Sequence, residues 1–265
     1  MWNNILSIIK NIDIASFLCE ERCRHCEQPV PSDVPTVCLC LKCSEQMWRS
    51  KQSLWSLPIV DLEQKEESAN RAGTTSGAIK MLTVATAAMY EGPMQKLIRR
   101  LKYDDDQLVV ADLGSILTRA YEMLLTAMPQ LIDDKDDIFL VPVPLHPSRK
   151  RKRGYNQAEL IAREFAKLNH MQVQIGVLNR KRKTRPQYGL GRKDRIDNIA
   201  GAFEFGGFDI RNKTVIIVDD VFTSGATLTT CAALLTECGA KQVAAMAAAR
   251  APYDKNVRRD SAPHK

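Results

Sequence analysis

The sequence predicts an α/β protein with a doubly wound parallel sheet and a small metal-binding module at its N-terminus. Two apolar runs, Val215–Val218 and Ile138–Val143, are typical of strands buried on both faces of a parallel sheet. Helical patterns separate these runs from the neighbouring strands, as crossover connections require. Two C-x-x-C pairs near the N-terminus predict the separate module.

Length and composition favour a globular protein. The 265 residues suffice for one large domain and a smaller one, and the 45% hydrophobic and 26% charged residues are ordinary for such a protein. No apolar run approaches the roughly 20 residues that a membrane span needs. The segment from Trp2 to Leu18 lacks the basic start and cleavage site of a signal peptide. We therefore expect no membrane span and a cytoplasmic location.

The cysteine spacing predicts one structural Zn²⁺ site. Two C-x-x-C pairs are separated by 13 residues, and each can present two thiolates to one tetrahedral ion. Without a secretory signal, metal binding is favoured over disulfides. The predicted ligands are Cys23, Cys26, Cys40 and Cys43, and Cys19, His25 and Cys38 are spare donors that could replace one of them.

Composition shifts divide the chain into four parts. We predict a zinc-ribbon module over residues 1–60, a polar linker over 61–80, the α/β domain over 81–252 and a flexible tail over 253–265. The elements of the α/β domain follow from apolar periodicity. They are a strand at Met81–Tyr90, a helix from Pro93, a helix at Leu108–Met128, the strand at Ile138–Val143, a helix at Ala158–Leu168, a short strand at Ile199–Phe205, the strand at Val215–Val218, a helix at Ser224–Cys238 and a strand at Val243–Ala249.

The residues after Val218 form the clearest functional motif. Asp219 and Asp220 stand at the carboxyl end of the predicted strand, where open α/β sheets bind ligands. The small, hydroxyl-rich loop that follows leads into a helix N-terminus, which favours a phosphate group. We predict that the acids accept hydrogen bonds from ribose hydroxyls and that the loop holds the phosphate of a sugar phosphate. The loop residues are Thr223, Ser224, Gly225, Ala226 and Thr227.

An ATP-binding strand that ends in acids is the alternative interpretation of this motif. It requires a glycine-rich loop with Gly-Lys-Ser/Thr between strand and helix. The nearest match runs from Gly207 to Thr214, but it precedes the strand and has Asn212 where glycine is needed.

Positive charge is concentrated in one region. Between Arg149 and Arg195, 15 Lys and Arg residues stand against three acidic residues, a net charge of +12, whereas the whole chain carries +7. Such a block indicates a polyanionic partner, although a solvated surface is the alternative. Arg149 and Arg153 follow a strand and could meet a pyrophosphate. The segment 180–187 has no apolar periodicity and predicts a mobile, solvent-exposed loop. The basic residues assigned to this loop and its continuation are Arg180, Lys181, Arg182, Lys183, Arg185, Arg192 and Arg195.

Seven further side chains have open interpretations. Tyr155 and Tyr188 could stack on the bases of a nucleic acid, or they could pack in the core. His146 could act as an acid–base group, although a single loop histidine is more often simply solvated or hydrogen-bonded. Lys96, Arg99, Arg100 and Lys102, on the helix after Pro93, could extend the basic surface.

The string Val215–Thr227 closely resembles the phosphoribosyl-pyrophosphate (PRPP) signature of the type I phosphoribosyltransferases. In that family the two acids contact the ribose hydroxyls and the loop holds the 5-phosphate. The resemblance therefore implies that Asp219 and Asp220 serve the catalytic site, that Mg²⁺ accompanies PRPP, and that a small hood covers the sheet. It also implies that Thr184–Asn198 is similar to the flexible loop, and Pro142–Gln157 to the pyrophosphate loop, of amidophosphoribosyltransferases. Because Trp2, and not a nucleophilic cysteine, follows Met1, we expect no glutaminase half of those enzymes and no amide-nitrogen chemistry.

Nearly the whole chain resembles the ComF family, which includes GntX-type proteins and is linked to natural transformation. The matching motifs are the zinc module, Tyr90-Glu91-Gly92-Pro93, Leu101-Lys102-Tyr103, Pro142-Val143-Pro144-Leu145-His146, Arg153-Gly154-Tyr155-Asn156-Gln157, Gln187, Asn198-Ile199-Ala200-Gly201-Ala202-Phe203 and the PRPP signature. The resemblance implies PRPP binding, a role in DNA uptake with single-stranded DNA as ligand, and a DNA-uptake helicase as partner. An active Mg²⁺-dependent transferase of nucleotide metabolism and a PRPP-sensing regulator without chemistry are the alternatives. No base-recognition pocket can be identified from the sequence.

Overall fold

The computed structural model describes residues 22–30, 38–59, 80–133, 137–182 and 201–252. Its main feature is a six-stranded sheet with the order β1-β2-β8-β7-β3-β4. All neighbouring strands in it are parallel except the edge pair β1 and β2. The strands are β1 Ser53–Pro58, β2 Met81–Met89, β3 Ile138–Pro142, β4 Gln172–Val173, β7 Thr214–Phe222 and β8 Gln242–Arg250, while β5 Leu178–Arg180 and β6 Phe203–Phe205 form a separate antiparallel pair.

Helices cover both faces of this sheet. They are α1 Leu41–Trp48, α2 Gly92–Tyr103, α3 Val109–Ala127, α4 Gln130–Asp133, α5 Pro147–Arg153, α6 Gln157–Asn169 and α7 Ala226–Glu237. Val215 and Ile217 of β7 belong to one apolar cluster, and Ile216 and Val218 belong to the other. Because alternate residues of a strand point to opposite faces, the two clusters lie on opposite faces of the sheet. α2, α3 and α6 contribute to one cluster and α7 to the other, which confirms the doubly wound α/β fold.

The strand that carries the acidic pair is longer than its apolar run predicts. β7 continues beyond Val218 to Phe222, because its parallel pairing with β8 extends through Asp219↔Ala247 and Phe222↔Arg250. The two acids therefore lie within the second half of the strand rather than after it. The sequence pattern marks only the part of the strand that is buried on both faces.

The edge strand β1 connects the N-terminal segment to the main sheet. It pairs antiparallel with β2 in a register from Ser53↔Thr86 to Pro58↔Met81. These residues fall within the predicted zinc-ribbon module, whose boundary stays a prediction. Arg119 of α3 also donates hydrogen bonds to the carbonyls of Met47 and Ser50, at 3.3 and 3.1 Å. The segment after the second cysteine pair is thus packed against the α/β domain.

The basic run after β3 forms the short helix α5. His146 is its N-cap, and its Nδ1 accepts a hydrogen bond from the backbone N–H of Ser148 at 3.2 Å. Gly154, with φ of 89°, ends the helix in a left-handed conformation. His146 therefore has the structural, hydrogen-bonded role that is the more frequent one for a single loop histidine.

In the part of the chain that the structure describes, none of the helices combines the length and apolar character of a membrane span.

Candidate functional site

The loop after β7 requires glycine at position 225. Gly225 has φ of 82° and is the N-cap of α7. A Cβ atom there would lie 2.5 Å from Leu57 Cδ1 of β1 and 3.2 Å from the ring of Phe222. The left-handed backbone and the close approach of Leu57 together disfavour any larger residue. The loop is therefore held against β1 and enters α7 with a tight turn, and Thr223 stays exposed at its tip.

The two acids of β7 have different partners. Asp220 is 4% exposed, and its Oδ2 forms an ion pair with Nζ of Lys102, at 2.8 Å. Asp219 is half-buried, and its Oδ1 accepts a hydrogen bond from the backbone N–H of Asp220 at 2.8 Å. Lys102 lies in the last turn of α2, on the face of the sheet opposite α7. The strand thus presents one carboxylate toward each face.

Electrostatics distinguish the acids further. Burial, followed by the neighbouring Asp220 carboxylate, raises the pKa of Asp219 to about 7, against the opposing charges of Lys102 and Arg180. Burial acts to lower the pKa of Lys102, but the carboxylates of Asp220 and Asp219 outweigh it and the net shift is upward. Lys102 therefore remains an ammonium at neutral pH, while Asp219 changes its charge near pH 7.

Arg180 lies close to the acids rather than in a solvent-exposed loop. It ends β5, where it pairs with Phe203 of β6, and its guanidinium stacks over that ring at 5.2 Å. Burial, and then the charge of Arg149, lower the pKa of Arg180, while Asp219 opposes this shift. The prediction of a mobile loop is therefore wrong for this residue, because strand pairing with β6 fixes its backbone.

The exposed part of the basic block is centred on α5. We call it the α5 basic surface, and it consists of Lys150, Arg151, Lys152, Lys181 and Arg182, all exposed. Lys150 is 3.6 Å from Glu159, and Lys181 forms an ion pair with Glu204, so part of the charge is neutralised. A cavity of about 520 Å³ separates α5 from β5. Its lining includes Pro144, Leu145, Lys150, Arg151, Arg180 and Lys181.

Other predicted basic residues have different positions. Arg149 and Arg153 are half-buried, and Arg153 donates to Gln157 Oε1. On α2, Arg100 binds Asp106 at 3.2 Å and Lys102 binds Asp220, so these two do not extend the basic surface. Lys183, Arg185, Arg192 and Arg195, as well as Tyr188, lie outside the described residues.

Tyr155 has a packing role in the structure. Its ring is half-buried, and its hydroxyl donates a hydrogen bond to the carbonyl of Leu101 at the end of α2. The adjacent Asn156 caps α6 and donates to the carbonyl of Val143 at 2.9 Å. The Arg153–Gln157 motif thus fixes the connection between α5 and α6, and the alternative that Tyr155 packs is the one observed.

The four predicted cysteines come together. The sulfur atoms of Cys23, Cys26, Cys40 and Cys43 all lie within 4.8 Å of one another, so they can hold one metal ion. Burial raises the pKa of Cys23, but backbone hydrogen bonds from Cys26, Cys40 and His25 outweigh it and lower the value to about 7. Of the spare donors, His25 has its Nδ1 3.3 Å from Cys43 Sγ, and Cys38 does not belong to the cluster. Cys19 lies outside the described residues.

A polar network joins the cysteine cluster to α2. Arg24, which stands between two of the cysteines, binds Asp106 Oδ2 at 2.9 Å through its Nε. Arg100 binds the same carboxylate and donates to the carbonyl of Arg24 at 3.0 Å. No sequence pattern indicates this network or the partner of Asp220, because both depend on how α2 packs.

Comparisons with known proteins define the class. Residues 151–262 match the family model described as the phosphoribosyl transferase domain. Competence protein F of Haemophilus influenzae is 29% identical over 61% of this chain and 70% of that relative. DNA utilization protein YhgH of Escherichia coli is 31% identical over 60% of this chain and 68% of that relative. The chain therefore carries a phosphoribosyl transferase domain.

The particular family follows from the same relatives. This chain belongs to the ComF family, the family of competence protein F and YhgH, which confirms the resemblance seen in its motifs. A solved hypoxanthine phosphoribosyltransferase of Staphylococcus aureus is 14% identical, covering 57% of this chain and 76% of that chain with a TM-score of 0.32. At that score the likeness carries no argument.

Proposed function

We propose that the protein binds PRPP with Mg²⁺ at the carboxyl end of β7. The observation that carries this proposal is the loop at Gly225, whose left-handed turn leaves no space for a side chain and leads into the 12-residue helix α7. Small residues allow the loop backbone to approach a phosphate closely, and the helix N-terminus favours its negative charge. Thr223, Ser224, Gly225, Ala226 and Thr227 would hold the 5-phosphate.

The acids are suited to the sugar. Asp219 and Asp220 would accept hydrogen bonds from the ribose hydroxyls of PRPP. The charge of Arg180 interacts with those of both Asp219 and Arg149, and Arg180, Arg149 and Arg153 would bind the pyrophosphate. When bound, Mg²⁺ would neutralise part of the charge on the pyrophosphate.

Calorimetry with PRPP and Mg²⁺ tests the first proposal. Asp220→Asn replaces an acceptor by a donor that faces a hydroxyl, and a charged hydrogen bond contributes about 1.5–3 kcal/mol. We expect binding to become roughly 10- to 100-fold weaker. Asp209→Asn is the matched control, because Asp209 is exposed and binds Arg211 instead. Absence of PRPP binding to the unmodified protein would refute this proposal.

We also propose single-stranded DNA binding on the α5 basic surface, in support of DNA uptake or utilisation. The exposed charge of α5 and the names of the relatives, competence protein F and DNA utilization protein YhgH, favour this role. Binding would rest on phosphate contacts and show little sequence preference. A DNA-uptake helicase would be a partner, and the cytoplasm would be the location. Arg180 would serve the PRPP site and not the DNA.

A salt titration tests the DNA proposal. Replacing Lys150, Arg151 and Lys152 by Gln removes three exposed charges, and the log–log salt slope should fall by up to about 0.7 per lost contact. The control replaces Arg49, Lys51 and Lys167, which are exposed elsewhere, by Gln. An unchanged slope in the α5 variant would contradict the assignment of this surface.

The cysteine cluster would hold one structural Zn²⁺. Zn–S bonds of about 2.3 Å place tetrahedral sulfurs roughly 3.8 Å apart, and Cys26 Sγ and Cys40 Sγ are separated by 3.6 Å. Four thiolates close the coordination sphere and leave no position for a reacting water.

Transfer of phosphoribose to an acceptor is the enzymatic alternative, and PRPP sensing without chemistry is another. A screen for pyrophosphate release with free bases and single-stranded DNA separates them. Release that depends on an acceptor would establish the transferase, whereas binding without release would favour the sensor.

A further inference from the structure

The ion pair between Lys102 and Asp220 is a buried charged contact at the candidate site. Nζ and Oδ2 are 2.8 Å apart, and the side chains are 19% and 5% exposed. Lys102 belongs to α2, whereas Asp220 belongs to β7, so the contact joins two elements that are distant in sequence. None of the roles described above uses Lys102.

Anchoring of α2 does not require this pair. Leu97, Ile98 and Leu101 of the same helix are fully buried in the apolar core. Replacing a buried ion pair by apolar residues is often neutral or stabilising, because desolvation of the two charges offsets their attraction. The location of the pair beside the phosphate loop is better explained by a requirement of the ligand site.

The groups around the acids show what Lys102 supplies. On the α2 side, Lys102 and the half-buried Tyr90 lie near Asp220; on the α7 side, Arg180 and the buried thiol of Cys231 lie near Asp219. Among the described residues, Lys102 supplies the cation that is in direct contact with Asp220. Without it, two adjacent carboxylates with little solvent would tend to share a proton.

We propose that Lys102 is a positioning residue of the ligand site, whose ammonium holds Asp220 as an oriented carboxylate so that both acids can accept hydrogen bonds from a vicinal diol at neutral pH. The diol is the ribose of the phosphorylated sugar, so this inference rests on the proposed PRPP-binding function. Lys102 acts through Asp220 and need not contact the ligand.

The first test needs no ligand. The ¹³C carboxyl signals of Asp219 and Asp220, assigned with Asp219→Asn and Asp220→Asn, are followed from pH 4 to 9. Lys102→Met should move the midpoint of the acid-pair titration upward by at least about one pH unit. Lys102→Arg should keep the midpoint, and so should Lys96→Met, which removes an exposed charge from the same helix. Lys102→Gln replaces the Met variant if the latter does not fold. A midpoint that is unchanged in the Lys102→Met or Lys102→Gln variant would overturn the proposal.

The second test measures PRPP affinity with Mg²⁺ at pH 7 and pH 9. If the midpoint rises from about 7 to 8, the ionised fraction at pH 7 falls about fivefold, whereas at pH 9 it hardly changes. Lys102→Met should therefore bind about fivefold more weakly at pH 7 and nearly normally at pH 9. A loss that is equal at both pH values would indicate a structural role only and would overturn the inference.

The two tests separate the inference from the function on which it rests. If the unmodified protein binds no PRPP at either pH, the proposed function fails, and the carboxyl titration still decides whether Lys102 holds the acids ionised. If PRPP binds but Lys102→Met leaves both the midpoint and the pH dependence unchanged, the inference fails while the proposed function stands.

Discussion

Replacing Gly225 by alanine tests the geometry of the proposed phosphate loop most directly. The variant must adopt φ of about 82°, which is unfavourable for a residue with a Cβ by roughly 1–2 kcal/mol. The new Cβ would also lie 2.5 Å from Leu57 Cδ1, and overpacking of this kind costs about 1–3 kcal/mol. We expect Gly225→Ala to lower the free energy of unfolding by about 2–5 kcal/mol, a large part of the roughly 5–15 kcal/mol of a typical domain.

Two further variants separate the backbone strain from the clash. Gly239→Ala has a similar φ of 92°, but its Cβ would meet the flexible side chain of Arg211 at 3.1 Å, so only the backbone term of about 1–2 kcal/mol should remain. Leu57→Ala removes the clashing methyl group. The double variant of Gly225 and Leu57 should therefore be less destabilised than the sum of its single variants, with a coupling of about 1–3 kcal/mol.

Urea unfolding, followed by fluorescence, measures these differences. PRPP calorimetry on the folded Gly225→Ala protein adds a functional measure, since a displaced loop should also weaken phosphate binding. If Gly225→Ala is no less stable than Gly239→Ala, or if the effects of Gly225 and Leu57 are additive, then β1 does not pack against the loop as described. The loop would then lack the constraint that the proposed phosphate site requires.

Three further predictions concern the metal cluster, an acid and a domain contact. Cys43→Ser should lose the bound zinc and lower the melting temperature, whereas Cys38→Ser, outside the cluster, should retain the metal by elemental analysis. The pKa of Asp219 is raised to about 7, so its protonated carboxyl should stabilise the fold fully below about pH 4, and this stabilisation should be lost as the pH rises through 7. The unfolding free energy measured by urea titrations from pH 4 to 8 should therefore depend less on pH for Asp219→Asn. Arg119→Ala removes the side-chain donor to the carbonyls of Met47 and Ser50, of which Met47 keeps the N–H of Ser50 as a donor, and should reduce the unfolding free energy by about 1–3 kcal/mol; an unchanged value would argue against this contact.

The parts of the fold with strong local signals were predictable. The apolar run of β7, the turn at Gly225 and the helix that follows occur where the sequence predicts them. A strand that is buried on both faces contains few polar residues, so its apolar run is easily recognised in the sequence. The four clustered cysteines were also predictable, since their spacing reflects the geometry of a tetrahedral ion. In these cases each signal comes from a few neighbouring residues.

The parts that depend on distant packing were not predictable. β1 has a short, irregular pattern that ends in Pro58, and only its pairing with β2 defines it as a strand. Arg180 appeared to belong to an exposed loop, because a three-residue strand has too few positions to show alternation. The sequence pattern of α2 places Lys102 among the residues that could extend the basic surface, and only the position of α2 over β7 shows that it binds Asp220.

Helix α2 connects the cysteine cluster to the ligand site, and this has a consequence for any measurement of binding. Arg100 on this helix shares the Asp106 carboxylate with Arg24 from the first cysteine pair, and two residues later Lys102 binds Asp220. Loss of the metal would free Arg24 and remove one of the contacts that fix the last turn of α2. Because Lys102 lies in that turn, the acid pair would lose part of its orientation. Protein stripped of metal should therefore bind PRPP more weakly even though the cluster does not contact the ligand.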